Sequence, residues 1–185
     1  AQQGMLLDAW YKKSVWLWLL SPLSLLFSFF VRLRINSFKE NSKKVWKPNV
    51  PVVVVGNISM GGTGKTPLVK MLGQKLSEEG FLPGIVSRGY GGKYSETLEV
   101  TSDTTFKQTG DEAQILAKLK LPFFIDKNRP RAVKKLLDKY PQTNVILSDD
   151  GLQHYALGRD IEIAVIDGAR RLGNGLTFPA GPLRE

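Results

Sequence analysis

Two residue types that often carry enzyme chemistry are scarce in this sequence: cysteine is absent, and His154 is the only histidine. Without cysteine the chain has no disulfide, no thiol nucleophile and no thiolate metal site, which is compatible with a reducing compartment. A single histidine leaves almost no material for a serine-protease triad or for a metal site with several histidine ligands. The sequence therefore argues against these classes of enzyme.

Charge is also missing from one long stretch near the start of the chain. Residues 14–31 carry no charged side chain, and Lys12, Lys13, Arg32 and Arg34 flank them on the two sides. As an α-helix this stretch would be about 27 Å long, just short of the roughly 30 Å hydrocarbon core of a bilayer. Crossing a membrane is therefore possible but marginal.

The distribution of serine within this stretch favours a helix that lies in the membrane interface. At 100° per residue, Ser14, Ser21, Ser24 and Ser28 form one weakly polar stripe on an otherwise apolar surface. Trp16 and Trp18 lie near one end, where indole rings prefer the headgroup zone. We expect residues 1–48 to be a membrane-associating segment, peripheral or monotopic. A cleaved signal peptide and a buried core helix are the alternatives.

The positive charge of the chain is concentrated in the same region. The net charge is +9, and residues 1–50 supply +6 of it, with eight Lys or Arg against two acids. A basic segment beside apolar sequence suits an anionic membrane surface, whereas a nucleic-acid-binding protein more often spreads its charge over the folded domain. We expect a membrane partner and no nucleic acid.

After Pro48 the pattern changes to short β-branched runs that alternate with helical stretches. This alternation predicts an α/β fold over residues 49–185, with a mainly parallel sheet flanked by helices. Strands are predicted at 51–55, 83–87, 98–101, 122–125, 145–148 and 161–166, and helices at 66–79, 111–119 and 129–140. The sequence ends in a loop with no closing helix, and we expect it to be truncated on this side.

The strongest motif lies where the first predicted strand turns into a helix. Its glycines let successive backbone N–H groups converge on phosphate oxygens at a helix N-terminus, as in P-loop NTPases. Lys65 would reach the β- and γ-phosphates of ATP, and the Thr66 hydroxyl would ligate Mg²⁺. The loop is a variant, because Ser59 stands where the strict pattern has glycine. The predicted nucleotide-binding residues are Ser59, Met60, Gly61, Gly62, Thr63, Gly64, Lys65 and Thr66.

A second motif supplies the acid that such a loop requires. The apolar strand at 145–148 ends in Asp149 and Asp150, and an acid at this edge can hold Mg²⁺ opposite the loop threonine. If strand geometry continues, the two side chains point to opposite faces, and we favour Asp149 as the ligand. The alternative is a turn without a metal. His154, four residues on, either orients a carboxylate or caps the turn.

Two further loops follow predicted strands, at the edge where such sheets bind ligands. Asp111 is our candidate for the catalytic base, because a kinase acting on an alcohol needs a carboxylate to accept or guide the hydroxyl proton. Capping of the following helix is its alternative role. Arg88, and also Arg129 and Arg131, are candidates for binding substrate phosphate or ordinary solvated charges.

In combination, these motifs resemble the tetraacyldisaccharide 4'-kinases, membrane-associated enzymes of lipid A synthesis in Gram-negative bacteria. The resemblance covers the chain from about residue 48 to 185 and is highly specific. It is carried, in order, by VVVVGNISMGGTGKTP, SRGYGG, TGDEA, LSDDGLQHY, VIDGARRLGNG and PAGPLRE.

The resemblance implies transfer of the ATP γ-phosphate to the 4'-hydroxyl of a tetraacylated glucosamine disaccharide 1-phosphate, a lipid-linked substrate, to form lipid IVA. It implies a location at the cytoplasmic face of the inner membrane and a role for Arg184 and Glu185 near the nucleotide or substrate. It also assigns Asp111 as the base, with Asp149 and Asp150 near the metal. The family continues well past PAGPLRE, with a further lobe and a histidine that assists catalysis.

Two other functions are compatible with the nucleotide loop. A membrane-docked regulatory ATPase of the Par and Min type has a similar loop, but carries lysine just before the glycine pair, where this chain has Met60. A non-catalytic nucleotide-binding fragment would keep the loop and lack the completing lobe.

Overall fold

The computed structural model describes residues 9–11, 15–40, 45–60, 64–89, 94–101, 104–105, 109–169 and 171–184, without the side chains of Val15, Trp16, Glu40 and Asp111. Its contacts divide the chain into two compact units. The helix unit comprises Ala1–Ser42, Asn57–Thr63 and Val165–Glu185, and the sheet unit comprises Lys43–Gly56 and Gly64–Ala164. The predicted domain boundary at residue 48 stays a prediction.

The sheet is six-stranded, in the order β3-β4-β2-β5-β1-β6. Its strands are β1 (Val52–Asn57), β2 (Pro83–Ser87), β3 (Leu98–Glu99), β4 (Phe123–Ile125), β5 (Val145–Asp149) and β6 (Ile161–Val165). Strand β5 pairs in parallel with both β1 and β2, and β2 pairs in parallel with β4. Among the strand pairings described here, only that of the short β3 with β4 is antiparallel. The predicted mainly parallel sheet is confirmed.

Strand β5 lies between β1 and β2 in the sheet, so the connection from β1 to β2 passes over the position of β5. Val55 of β1 is in register with Asp149 of β5. Since parallel strands end at the same edge, this topology brings the loop after β1 next to the acids after β5. The strand order therefore creates the site that the two motifs require.

The helices of the sheet unit begin and end close to the predicted positions. They are α2 (Lys65–Glu78), α3 (Asp111–Ala117) and α4 (Arg129–Lys139). Asn128 caps α4, since its side-chain oxygen accepts a hydrogen bond from the Arg131 N–H, and Pro130 fits the first turn. Gly80, with φ +85°, follows the end of α2 as predicted.

The core of the sheet unit consists of apolar side chains that the strands and helices bury between them. Burial of such side chains is the main source of stability for a domain of this size. Its fully buried members include Val52, Val54, Val69, Ile85, Phe123, Ile125, Val133, Leu136, Ile146 and Leu147.

In the helix unit, the uncharged stretch does not form one uniform helix. A 3₁₀-helix covers Val15–Leu20, and α1 runs from Ser21 to Glu40, well past the end of the apolar sequence. The break falls just before Pro22, which is tolerated in the first turn of an α-helix but not in its interior. The predicted N-terminal apolar helix is therefore confirmed, as a 3₁₀-helix followed by an α-helix that extends past residue 31.

The serine stripe of this helix faces protein. The Ser24 hydroxyl donates to the carbonyl of Thr177 at 2.8 Å and accepts from the Ala180 N–H at 2.9 Å. The Ser28 hydroxyl lies 2.8 Å from that of Thr177. These bonds hold the segment at 177–180 against α1, so Ser24 and Ser28 of the stripe face protein, while the expectation that the helix lies in a membrane interface stays a prediction.

The opposite surface of this segment is apolar and exposed. Residues Leu17–Lys39 form the one described helix that is long and apolar enough to cross a membrane, by length and composition alone. Only 6% of its most apolar window is buried, which argues against the alternative of a buried core helix. The exposed large side chains are Trp18, Leu19, Leu23, Leu25, Leu26, Phe29, Phe30 and Leu33.

Candidate functional site

The phosphate loop joins β1 to α2, as its sequence predicted. Gly64 precedes the first helical residue and adopts a left-handed conformation, with φ 72° and ψ 12°, that glycine accepts without strain. Gly61, Gly62 and Thr63 lie outside the described residues. The helix N-terminus places unpartnered backbone N–H groups and Lys65 at one point, which is the chemistry of an anion site.

The first half of the loop belongs to the helix unit, where the segment near residue 183 holds it. The Met60 N–H donates to the Pro182 carbonyl at 2.7 Å, and the Arg184 N–H donates to the Ile58 carbonyl at 2.8 Å. Ser59 is buried and pairs with Leu183 in an antiparallel bridge. Arg184, a predicted substrate residue, is therefore anchored through its backbone beside this half of the loop, while Glu185 lies outside the described residues.

Lys65 and Asp150 form an ion pair in the sheet unit. The Lys65 ammonium lies 2.7 Å from Asp150 Oδ1, and the exposed fractions of the two side chains are 8% and 25%. The motif at the end of β1 and the motif at the end of β5 thus meet, although 85 positions separate these residues in the chain.

Asp150 reaches this lysine because strand geometry ends one residue before it. Strand β5 stops at Asp149, and Asp150 has a positive φ of 51°. The expectation that the two aspartates alternate between faces depended on a continuing strand, and that condition is not met. Gly151 follows because a Cβ there would lie 2.5 Å from the Ser148 hydroxyl and 2.9 Å from a methyl carbon of Val54.

Asp149 is the most unusual acid of the chain. It is fully buried, and neither of its carboxylate oxygens accepts a hydrogen bond from any described residue. Burial, followed by the negative charge of Glu112, raises its pKa from 3.8 to about 6, although the positive charge of Lys65 opposes the shift. A buried carboxylate without donors is costly, so a ligand that supplies positive charge would stabilise it.

These residues fit a magnesium ion held in the manner of P-loop enzymes. Mg²⁺ takes oxygen ligands, and it is usually held by one or two protein groups together with substrate phosphates. Asp149 offers two bare oxygens, and Thr66 is buried in the first turn of α2. No cluster of three or more acids or histidines that could hold a metal occurs among the described residues.

Helix α3 brings further acids to the same edge of the sheet. It begins at Asp111, with Gly110 as its N-cap residue, so Asp111 occupies the first helical position and does not cap the helix. Glu112, the next residue, interacts electrostatically with Asp149. The backbone of Asp111 is therefore near the acid pair, while its side chain lies outside the described part of the structure.

Two arginines organise the neighbourhood of the acids, and sequence reasoning missed this role. Arg129, at the start of α4, is 1% exposed and donates to the backbone carbonyls of Asp126 and Asp149. Arg159 donates to the carbonyls of Leu152 and His154, at 3.0 and 2.7 Å, and so holds the loop after the acids. No local motif signals either role, because each depends on which carbonyls the fold brings within reach.

The remaining candidates have distinct surroundings. Arg88 is exposed directly after β2 and is close enough to Arg129 and Tyr94 to interact with them electrostatically. Arg131 forms a bidentate ion pair with Asp126, and this pair holds the Arg131 side chain against the β4–α4 connection. His154 lies half-buried in the turn after the acids. Its predicted role as an orienting or capping group stays a prediction.

Comparison with known proteins identifies where this combination of fold and motifs occurs. The family model described as tetraacyldisaccharide-1-P 4'-kinase, LpxK, matches residues 16–185. The tetraacyldisaccharide 4'-kinases of Methylobacillus flagellatus and Shewanella amazonensis are each 50% identical to the chain, over 95% and 99% of it, and over 53% and 52% of their own lengths.

A solved structure gives the same result. The crystal structure of LpxK from Aquifex aeolicus in complex with ATP superimposes with a TM-score of 0.77 and 33% identity, over 90% of this chain and 53% of that one. The chain thus spans about half the length of the relatives it matches. With the family model covering nearly all of its residues, the chain belongs to the tetraacyldisaccharide-1-P 4'-kinase family.

Proposed function

We propose that the protein containing this chain transfers the γ-phosphate of ATP to the 4'-hydroxyl of a tetraacylated glucosamine disaccharide 1-phosphate, forming lipid IVA. The observation that supports it most directly is the meeting of Lys65 and Asp150 at the head of α2, beside the bare and buried carboxylate of Asp149. A cation, an anion and an unsatisfied acid at a helix N-terminus are what binding of a metal nucleotide requires.

Each residue of the site has a defined task in this reaction. The amides of Ser59–Thr66 and the Lys65 ammonium bind and orient the phosphates, and Thr66, Asp149 and Asp150 would hold the metal. Mg²⁺ bound by these residues would supply positive charge to offset the negative charge of the transferred group. Lys65 pairs with Asp150 in the structure described, so on nucleotide binding the ammonium exchanges this carboxylate for phosphate oxygen.

We assign the acceptor side of the reaction to other loops of the chain. Asp111 accepts the proton of the 4'-hydroxyl, which sharpens the nucleophile as the phosphoryl group transfers. Arg88 and Arg184 bind the anionic substrate, because a guanidinium matches phosphate oxygens with two parallel N–H donors. Arg88 is suited to this by its exposure.

We also propose that helix α1 seats the protein on the cytoplasmic face of the inner membrane. Its exposed apolar side chains are accompanied by Arg32, Arg34 and Lys39 toward its C-terminal end. Apolar side chains in the acyl region and basic ones among anionic headgroups are typical of a monotopic helix. This location gives the site access to an acylated substrate that does not leave the bilayer.

Incubation with γ-labelled ATP and the acylated disaccharide phosphate in detergent tests the reaction. Label should move to the lipid with the full-length protein. Asp111→Asn should reduce this transfer by roughly 10²–10⁴-fold while keeping the nucleotide-dependent rise in melting temperature. Phosphate release that needs no acceptor would indicate a regulatory ATPase instead, and nucleotide binding without either outcome would indicate a non-catalytic nucleotide-binding protein.

Membrane association is tested by replacing two exposed apolar residues of α1. The double variant Leu25→Gln, Phe29→Gln should bind anionic phospholipid vesicles roughly 100-fold more weakly in flotation, because each lost apolar side chain contributes about 1.5–3 kcal/mol on full burial. The matched control is Met71→Gln, Phe81→Gln, which alters two comparably exposed apolar residues of the sheet unit. Equal binding by the two double variants would contradict a membrane role for α1.

A further inference from the structure

Arg129 is the largest of the fully buried side chains. Its Nη1 donates to the carbonyl of Asp126 and its Nη2 donates to the carbonyl of Asp149 at 3.2 Å, while Nε has no hydrogen-bond partner among the described residues. A buried arginine would normally satisfy all its donors, and an apolar side chain of similar size would fill this space at a lower cost. Its burial therefore suggests a task besides packing.

The charges around Arg129 indicate that task. Burial lowers its pKa to about 10, and the charges of Asp150 and Asp149 oppose this change, so the guanidinium stays charged at neutral pH. Among the described residues, Lys65 is the other cation that acts on Asp149. When Lys65 turns to the phosphates of ATP, as the proposed function requires, Arg129 stays with the two aspartates.

We propose that Arg129 is a positioning residue for the magnesium site: its guanidinium fixes the carbonyl at the end of β5 and balances the charge of Asp149 and Asp150 while Lys65 engages the nucleotide. The bond to the Asp149 carbonyl sets where β5 ends and the left-handed Asp150 begins. The sequence-based candidacy of Arg129 for binding substrate phosphate stays a prediction.

The rest of the β4–α4 connection keeps the guanidinium in place. Asp126 is 1% exposed and is bound by Arg131 through Nε and Nη2, by the Asn128 N–H and by the Thr97 hydroxyl. With its side chain held by these donors, Asp126 presents its carbonyl to Arg129 in a fixed position. Arg129 therefore links a rigid turn to the end of β5, as groups behind a metal ligand commonly do.

The test compares how much Mg²⁺ strengthens ATP binding in two variants of the full-length protein. The measured quantity is the ratio of the ATP dissociation constants in EDTA and in excess Mg²⁺, obtained by calorimetry. Arg129→Met should lower this ratio by roughly 10–100-fold, with ATP binding in EDTA little changed, because the loop amides and Lys65 remain. Arg129→Lys keeps the positive charge but lacks the planar guanidinium group with its several N–H donors. Its ratio should therefore fall between that of Arg129→Met and that of the wild type.

Lys135→Met is the matched control, since Lys135 is an exposed cation on the same helix, and its ratio should equal that of the wild type. The proposal is overturned if the Arg129 variants keep the wild-type ratio, or if ATP binding weakens equally in EDTA and in Mg²⁺, which would indicate a general structural role. Should Arg129→Met fail to fold, Arg129→Lys alone decides by the same criteria.

The proposal rests on the proposed function for its Mg-ATP site. The ratio of ATP dissociation constants is measured without a lipid acceptor, so failure of lipid phosphorylation in the wild type is a separate result.

Discussion

Lys65→Ala is expected to abolish the rise in melting temperature that ATP and Mg²⁺ produce and to slow phosphoryl transfer by roughly 10²–10³-fold. The Lys65 ammonium is buried at the head of α2, 2.7 Å from Asp150. In this environment of low dielectric constant, an interaction with phosphate is stronger than it would be at the surface. Removing the ammonium therefore removes a large part of the attraction for the β- and γ-phosphates.

A matched variant on the same helix separates this effect from a change in helix stability. Lys75 lies on α2 as well, but its side chain is 69% exposed and pairs with Glu78 at 2.6 Å. Lys75→Ala should leave the nucleotide-dependent shift unchanged, because exposed pairs of this kind contribute little. An undiminished shift in Lys65→Ala, measured by differential scanning fluorimetry, would mean that this loop is not the phosphate site.

The part of the site that the sequence predicted depends on residues that are close together in the chain. A β-branched run, a glycine-rich turn, Lys-Thr and a helix follow one another within residues 52–78, and strand β5 leads directly into its two aspartates. Local backbone preferences are enough to specify such motifs. A general rule for parallel sheets predicts that the loop after β1 and the acids after β5 lie close together, and the Lys65–Asp150 pair agrees with that rule.

The features that the sequence did not predict depend on contacts between distant segments. Ser24 binds Thr177 across 153 positions, so nothing near Ser24 indicated that its stripe would face protein. Arg129 binds the carbonyl of Asp149, a backbone group that carries no side-chain signature. The positive φ of Asp150 likewise comes from the turn after β5 and not from a glycine at that position.

Asp149→Asn is expected to have opposite effects on stability and on activity. Between pH 3.8 and about 6, the folded protein binds more protons at Asp149 than the unfolded chain does, because burial raises this pKa. Stability from this group is therefore fully present below pH 3.8 and is lost as the pH rises through about 6. The loss amounts to at most about 3 kcal/mol, at 1.36 kcal/mol for each unit of pKa.

Asparagine is neutral at every pH, so the metal-free variant should resist urea better than the wild type at pH 7.5, and this advantage should vanish below the pH at which Asp149 is protonated. Asp138→Asn, which alters an exposed acid on α4, should show no such pH-dependent gain.

The loss of charge in Asp149→Asn should also remove the Mg²⁺-dependent part of ATP binding, because a neutral amide is a poor ligand for this ion. If Asp149→Asn instead destabilises the metal-free protein at pH 7.5, the carboxylate has donors that stabilise its charge. Asp149 would then be a structural anion, and the metal would have to be held by Asp150.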